Sequence, residues 1–506
     1  MPQSALFRPG LGRRVRPFHP PDARVPSPVR YVSTRGEAPP LGFEDALLAG
    51  LARDGGLYVP ETWPRLAPDE IAAFAGKPFA EVAAAVLEVF AGGAIPREEL
   101  LALAHDAYAR FGHPAVTPLV QIDRNLWILE LFHGPTLAFK DVAMQLVARL
   151  MDRVLAARGQ RVTVVGATSG DTGGAAIEAF RGSKRVDAIL LFPHGRVSDV
   201  QRRMMTTATE ANVHAVAVEG TFDDCQAMVK AMFNDLAFRD RVGLAGVNSI
   251  NWARVAAQIT YYFVAAAALG APHRPVSFAV PTGNFGDILA GYAAKRMGLA
   301  VARLAIATND NDILARTHAS GVYEVRSVTP TTSPSMDIQV SSNFERYLFE
   351  ASARDAAWVR GRMGALAQSG RFELSREVLV RLRTDFDAAT ATMEEVAACI
   401  RRVKAESGYL LDPHTACGVI TAQRPRMIAP TPHVVLATAS PAKFPDAIEA
   451  IAGERPTLPP RLAALMTDRE RMTVLPNDLA AVQRFVAERA HAGNGPGKGA
   501  RKGAAA

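Results

Sequence analysis

Cysteine is nearly absent from this chain: Cys225, Cys399 and Cys417 are the only three among 506 residues. An odd, widely spaced set offers neither a disulfide framework nor a zinc pattern, and it suits a reducing compartment, so a cytoplasmic protein is expected. The eleven histidines include no His-x-x-His or His-Glu-x-x-His grouping, and no metal site is expected. A Gly-x-Ser-x-Gly elbow is also missing, which removes support for a serine hydrolase. Long apolar runs are lacking too. Glu81 and Glu88 interrupt the segment 80–95, and Tyr261–Pro272 is short, so neither can span a bilayer and a soluble protein is expected.

Acid is scarce at both ends. Residues 1–36 hold seven arginines and one aspartate, and residues 491–506 hold Lys498, Arg501 and Lys502 without a carboxylate. With a formal net charge of +7 for the whole chain, the body between these ends is left slightly acidic. A near-neutral body with basic ends is not the footprint of a nucleic-acid-binding face. The first 28 residues are rich in proline and arginine. A transit-like peptide, a disordered arm and a start codon placed too far upstream are the readings, the last favoured because recognisable structure begins abruptly at Val29-Arg-Tyr-Val-Ser-Thr-Arg-Gly. The Gly/Ala/Lys-rich stretch 493–506 is expected to be disordered.

What is present is an ordinary globular composition, 49% hydrophobic and 21% charged. The length argues for two or three lobes. From about 160 the chain alternates strand and helix: strands at 161–166, 187–192, 213–218, 276–280, 303–307 and 433–437, with helices from 171, near 199–207, and over 222–238, 254–269 and 286–297. Such repeats predict mostly parallel sheets covered by helices, with ligands at the carboxyl ends of strands. Segments 43–53, 68–91 and 97–111 read as an N-terminal helical subdomain, and 355–368 and 375–406 as charged helices.

Two motifs need each other. In Leu131-Phe-His-Gly-Pro-Thr-Leu-Ala-Phe-Lys-Asp141, Lys140 opens an amphipathic helix behind a rigid, apolar approach. Desolvation there lowers an amine's pKa and frees it for imine exchange. In Pro281-Thr-Gly-Asn-Phe-Gly-Asp287 an apolar strand ends in a glycine turn that opens a helix, where backbone N–H groups and the helix dipole favour a phosphate. Lysine and phosphate cradle together predict a pyridoxal phosphate enzyme. The turn is neither a Walker loop nor a Gly-x-Gly-x-x-Gly fingerprint. A second turn, Gly166-Ala-Thr-Ser-Gly-Asp-Thr-Gly-Gly174, presents Ser169, Asp171 and Thr172, residues that also favour plain helix caps. Val247-Asn-Ser-Ile-Asn-Trp-Ala-Arg254 places a lone arginine before an apolar helix, suited to an anionic group or to a solvated cap.

In order along the chain, these strings and Tyr31–Pro39, Asp54–Pro60, Gly195–Ser198, Asp412–Gly418 and Thr438–Phe444 resemble threonine synthase, in the branch of many bacteria and fungi, over roughly residues 29–455. The resemblance implies a tryptophan-synthase-β-like fold of two α/β lobes with pyridoxal phosphate between them. It implies an extension at 1–28, an N-terminal subdomain at 29–118, a large cofactor-binding domain at 119–160 and 251–455, a small domain at 161–250, and a C-terminal segment at 456–506. By the same resemblance Lys140 bonds the cofactor, Gly283, Asn284, Phe285, Gly286 and Asp287 hold its phosphate, and Thr438 faces its ring nitrogen. Ser169, Asp171, Thr172, Asn248, Ser249 and Arg254 match positions expected to hold the substrate's phosphate or carboxylate. Ser440 departs from the family, which usually has His there. The implied reaction converts O-phospho-L-homoserine and water to L-threonine and phosphate, by a monomer. The rivals are a serine/threonine dehydratase of the same fold and a non-catalytic relative that only binds phosphorylated amino acids.

Overall fold

The computed structural model describes residues 28–168, 170–246, 249–424 and 430–490. Residues 1–27 of the N-terminal extension and the stretch 493–506 lie outside these.

Two sheets organise the molecule. The larger has six strands in the order 387–390, 301–308, 276–281, 433–437, 126–130 and 119–123. Its strands run parallel except at the edge, where Leu119–Asp123 pairs antiparallel with Leu126–Glu130. The central strands Val276–Pro281 and His433–Ala437 are buried along their whole length. They read as unbroken apolar runs because helices cover both faces. The second sheet has five parallel strands in the order 473–476, 213–219, 186–193, 162–167 and 244–245. The mostly parallel α/β architecture is therefore as expected.

The carboxyl ends of both sheets lead into the loops that carry the motifs. The 18-residue helix Lys140–Ala157 and the helix Trp252–Ala268 lie against each other, the latter buried almost throughout. The N-terminal helices Phe79–Ala91 and Arg97–Tyr108 pack on these two. The rings of Tyr31, Trp63 and Phe90 close around Trp252, which fixes the start of its helix next to the 249–251 loop.

Three elements differ from the sequence reading. Segment 68–91 is two helices, Pro68–Ala72 and Phe79–Ala91, broken at Gly76-Lys77-Pro78, where Gly76 takes φ 72°. The charged stretch 375–406 is also divided. Its helices Arg376–Asp385 and Met393–Ser407 flank a strand, Asp387–Thr390, at the sheet edge. Thr392 caps the second helix by accepting from Glu395 N, while the Glu395 side chain accepts from Thr392 N, and this reciprocal pair sets the break. Finally, Thr473–Pro476 joins the five-stranded sheet beside Val213–Glu219, and the helix Leu479–Arg489 buries Val482 and Val486 against the same lobe.

Candidate active site

Lys140 is the first residue of its helix, and its side chain is buried. The preceding segment is pinned to the last strand of the large sheet: Leu131 N donates to Ala437 O at 3.0 Å, Phe139 N to Thr438 O at 2.8 Å, and Ser440 N to Leu137 O at 3.0 Å. Thr438 and Lys140 are thereby held side by side at the carboxyl edge of one sheet.

Across from them stands Asp171, the first residue of the helix Asp171–Phe180, which follows the second sheet's strand Val162–Ala167. Lys140 Nζ lies 3.2 Å from Asp171 Oδ2 and 3.4 Å from Ser335 Oγ, and Ser335 Oγ donates to the same carboxylate oxygen at 3.0 Å. The other oxygen, Oδ1, takes Lys443 Nζ at 2.6 Å and Gln201 Nε2 at 2.9 Å. Burial alone would raise the Asp171 carboxyl, but Lys140, Lys443 and Gln201 bring it well below the usual carboxylate range. Burial lowers the Lys140 amine; Asp171 opposes that, and Lys443 and Arg254 add to it.

The turn Gly283–Asp287 has the features of an anion cradle. Among the described residues the N–H groups of Gly283, Asn284, Phe285 and Gly286 have no backbone acceptor, whereas the carbonyls are taken. Ser341 Oγ donates to Gly283 O at 2.6 Å, and Asn343 donates to Asn284 O through N at 3.0 Å and Nδ2 at 3.1 Å. Donors left over at the start of the helix Gly286–Arg296 suit a phosphate. Phe285 holds the turn at φ 61°, its ring packed against Phe344 and Phe386. A Cβ on Gly283 would sit 2.8 Å from Ser335 O, so the cradle and the Ser335 turn touch backbone to backbone.

Asp287 points away from solvent and accepts from Tyr261 and, at 3.2 Å, from Tyr262; burial pushes its carboxyl up to about 7. Arg254 is buried beside it, its Nη1 without a hydrogen-bond partner among the described residues, and burial lowers its guanidinium to about 10. A buried donor without an acceptor is costly, and an anionic ligand would supply one. The desolvated amine and the turn of free N–H groups thus fit pyridoxal phosphate, and the arginine is left for a second anion.

The other expected contacts fall out unevenly. Thr172 is half-buried in the first turn of its helix, and Ser249 lends its carbonyl to Asn343 Nδ2 at 3.0 Å. Ser169 and Asn248 lie outside the described residues. Asp171 differs most from expectation, because its carboxylate already serves two amines. Two N–H groups of its turn, those of Gly170 and Gly173, are also used up by Thr168 Oγ1 at 2.9 Å each.

One site residue, Ser335, carried no signal in the sequence. Ser335 sits in a single 3-10 turn, Pro334–Met336, inside a Ser/Thr/Pro-rich loop. Its N–H donates to His414 Nε2 at 3.2 Å, and His414 Nδ1 faces Asp412 Oδ2 at 2.7 Å, so that histidine keeps its proton on Nδ1. Ser440, the departure from the family, caps the turn Pro441–Lys443 by accepting from Ala442 N at 3.3 Å.

Comparisons with known proteins agree with this geometry. The family profile "Threonine synthase N terminus" matches residues 30–108, "Pyridoxal-phosphate dependent enzyme" matches 111–361, and "Threonine synthase, C-terminal" matches 415–486. The chain is 52% identical to threonine synthase of Pseudomonas aeruginosa over 466 residues, covering 92% of this chain and 99% of the relative. Threonine synthase of Brucella melitensis, solved with pyridoxal phosphate bound, superposes with a TM-score of 0.89 at 60% identity, covering 91% of this chain and 99% of that one. The yeast enzyme gives 0.86 at 39% identity, covering 91% and 98%. The desolvated lysine, the phosphate cradle and these likenesses over nearly the whole chain place the protein in the threonine synthase family of pyridoxal-phosphate-dependent enzymes.

Proposed function

We propose that this chain converts O-phospho-L-homoserine and water to L-threonine and inorganic phosphate. The observation that carries this reading is the meeting of a buried amine, Lys140 Nζ, with the free N–H groups of 283–286 and the unpartnered Arg254, all at the carboxyl edges of two parallel sheets. Lys140 would bond the cofactor, Gly283, Asn284, Phe285 and Gly286 would hold its phosphate with Asp287 closing the first helical turn, and Thr438 would face its ring nitrogen. Residues 119–160 with 251–455 act as the cofactor-binding lobe, 161–250 as the small lobe, and 29–118 as the layer that braces both.

Bound pyridoxal phosphate supplies a conjugated ring that takes up the electron pair left when a proton is removed. Lys140 Nζ, displaced by the substrate's own amine, stays at the helix start as the base for the Cα proton and then for a Cβ proton. Positioned proton transfer of this kind contributes ~10²–10⁴-fold. Ser335 Oγ and Asp171 orient the amine between these transfers. Arg254, Thr172 and Ser249, together with Ser169 and Asn248, receive the substrate's anionic groups, where charge-assisted donors ease the departure of phosphate from the γ-carbon. Lys140 then returns one proton to the γ-carbon, which becomes the methyl group, and one to Cα. Water supplies the hydroxyl at Cβ and gives its remaining proton to the released phosphate, and Lys140 recovers its place. A neutral hydroxyl at Thr438, with no carboxylate, makes a weaker electron sink and favours replacement over transamination.

The test is a product analysis. Purified, cofactor-loaded protein given O-phospho-L-homoserine should release threonine and phosphate in equal amounts. A 2-oxo acid with ammonia would identify a dehydratase instead, and no turnover would identify a phospho-ligand binder. Lys140→Ala should lower turnover by ~10² or more while leaving the fold intact by circular dichroism. Borohydride reduction should fix the cofactor on residue 140.

A further inference from the structure

An amine 3.2 Å from a buried carboxylate ought to be an ammonium ion, and an ammonium ion is no base. The arrangement around Asp171 addresses this difficulty. Its Oδ1 is already engaged by Lys443 Nζ at 2.6 Å and Gln201 Nε2 at 2.9 Å. Lys443 is 1% exposed, and its Nζ also donates to Thr136 O at 2.8 Å, in the segment that leads into Lys140. Thr136 is in turn fixed by Asp141, which accepts from its N and its Oγ1 at 2.7 Å each. Lys443 therefore ties three elements together: the 131–139 segment, the turn after the last strand of the large sheet, and the first residue of a helix on the other sheet.

We propose that Lys443 is a positioning residue of the reaction, whose ammonium group neutralises Asp171 from the far side and so lets Lys140 rest beside that carboxylate as a neutral, proton-accepting amine. This inference rests on the functional reading above. The charged groups facing Lys140 are Asp171 from the second sheet's helix, Lys443 from the 441–443 turn and Arg254 from the helix Trp252–Ala268. Asp141 and Glu178 lie one group further out. Of these, only Asp171 favours a charged Lys140, and Lys443 offsets it directly. Gln201 and Ser335 hold the carboxylate's orientation without adding charge. Lys443 does not touch the reacting atoms; it acts through Asp171.

The experiment is a pH titration of the visible absorbance of the cofactor-loaded holoenzyme without substrate, which reads the protonation of the linkage at Lys140, followed by the pH profile of kcat/KM. Lys443→Gln keeps a donor for the Asp171 and Thr136 oxygens but removes the charge. It should move the spectral midpoint upward by about one pH unit, and the acid limb of kcat/KM should move with it. Lys443→Met should do the same, and Lys443→Arg should restore a midpoint close to the wild type. Asp171→Asn should move the midpoint the other way. If Lys443→Gln titrates like the wild type and loses only stability, Lys443 is a structural tie and the proposal is overturned. If Lys443→Gln cannot be isolated with cofactor, Lys443→Arg and Asp171→Asn decide the matter, since an unshifted Asp171→Asn removes the carboxylate through which Lys443 acts. The spectral shift needs no substrate, so it can fail while threonine is still formed. Absence of threonine formation by the wild type would instead remove the functional reading.

Discussion

Arg254 shows how much one residue can say about a missing partner. It is 3% exposed and lies beside Asp287, yet its Nη1 has no acceptor among the described residues. Such a donor is retained when an anion completes it. Arg254→Ala should raise KM for O-phospho-L-homoserine without releasing the cofactor, with kcat/KM falling roughly ten- to a hundredfold, the worth of about 1.5–3 kcal/mol for a hydrogen bond to a charged group. Steady-state kinetics beside a cofactor titration check this, and unchanged kinetics would move the anion pocket elsewhere. Lys140, Gly283 and Arg254 were legible in the sequence because each stands at a strand–helix turn or a helix start, where residue type and local structure constrain each other. Ser335, Gln201 and Lys443 were not. They reach Asp171 from positions 164, 30 and 272 residues away, and only the folded chain makes them neighbours. Asp171 itself was legible as a site residue, but its partners were not, and they turn a residue expected to face the substrate into one that faces two amines.

At the scale of elements, the contact between two turns carries the cofactor site. The 283 turn and the Pro334–Met336 turn meet at Gly283, where a Cβ would come within 2.8 Å of Ser335 O. A carbonyl cannot rotate aside as a flexible side chain would, so Gly283→Ala must push the two turns apart. Overpacking of this kind costs about 1–3 kcal/mol, a roughly 5- to 150-fold loss. The loss should appear in cofactor affinity, measured by absorbance titration, because the displaced N–H groups are those left for the phosphate. Unaltered affinity would separate the cradle from the Ser335 turn. The buried parallel strands were readable because they are short apolar runs ending in glycine or hydroxyl residues. The edge strands were harder. Asp387–Thr390 and Thr473–Pro476 are half-exposed, carry few branched apolar residues and sit between helices. Their pairing is decided by the strand already in the sheet, which supplies unpaired backbone groups, more than by their own composition. The hairpin 119–130 escaped for a similar reason, since its outer strand is only five residues long and none of them is fully buried.

Over the whole molecule, buried and half-buried carboxylates set how stability responds to pH, and they pull in opposite directions. Asp171, Asp54, Glu210 and Glu470 are held below their usual range by hydrogen bonds and cations that outweigh burial. Their stabilisation is present above the unfolded pKa and is lost on acidification. Burial raises Asp287 to about 7 and Asp141 to about 6 from an unfolded value of 3.8. These two bind a proton more tightly when folded. Their contribution is complete below pH 3.8, declines as the pH climbs, and is gone above about 7 for Asp287 and about 6 for Asp141. Asp287→Asn separates the two groups, since an amide keeps an acceptor for Tyr261 and Tyr262 but cannot ionise. In the cofactor-free protein, the melting temperature of Asp287→Asn relative to the wild type should rise steadily between about pH 4 and pH 7 and then level off. Parallel curves over that window would mean that the Asp287 carboxyl is ionised throughout, with Arg254 rather than the tyrosines as its partner, and the orphaned guanidinium donor would no longer call for an anion.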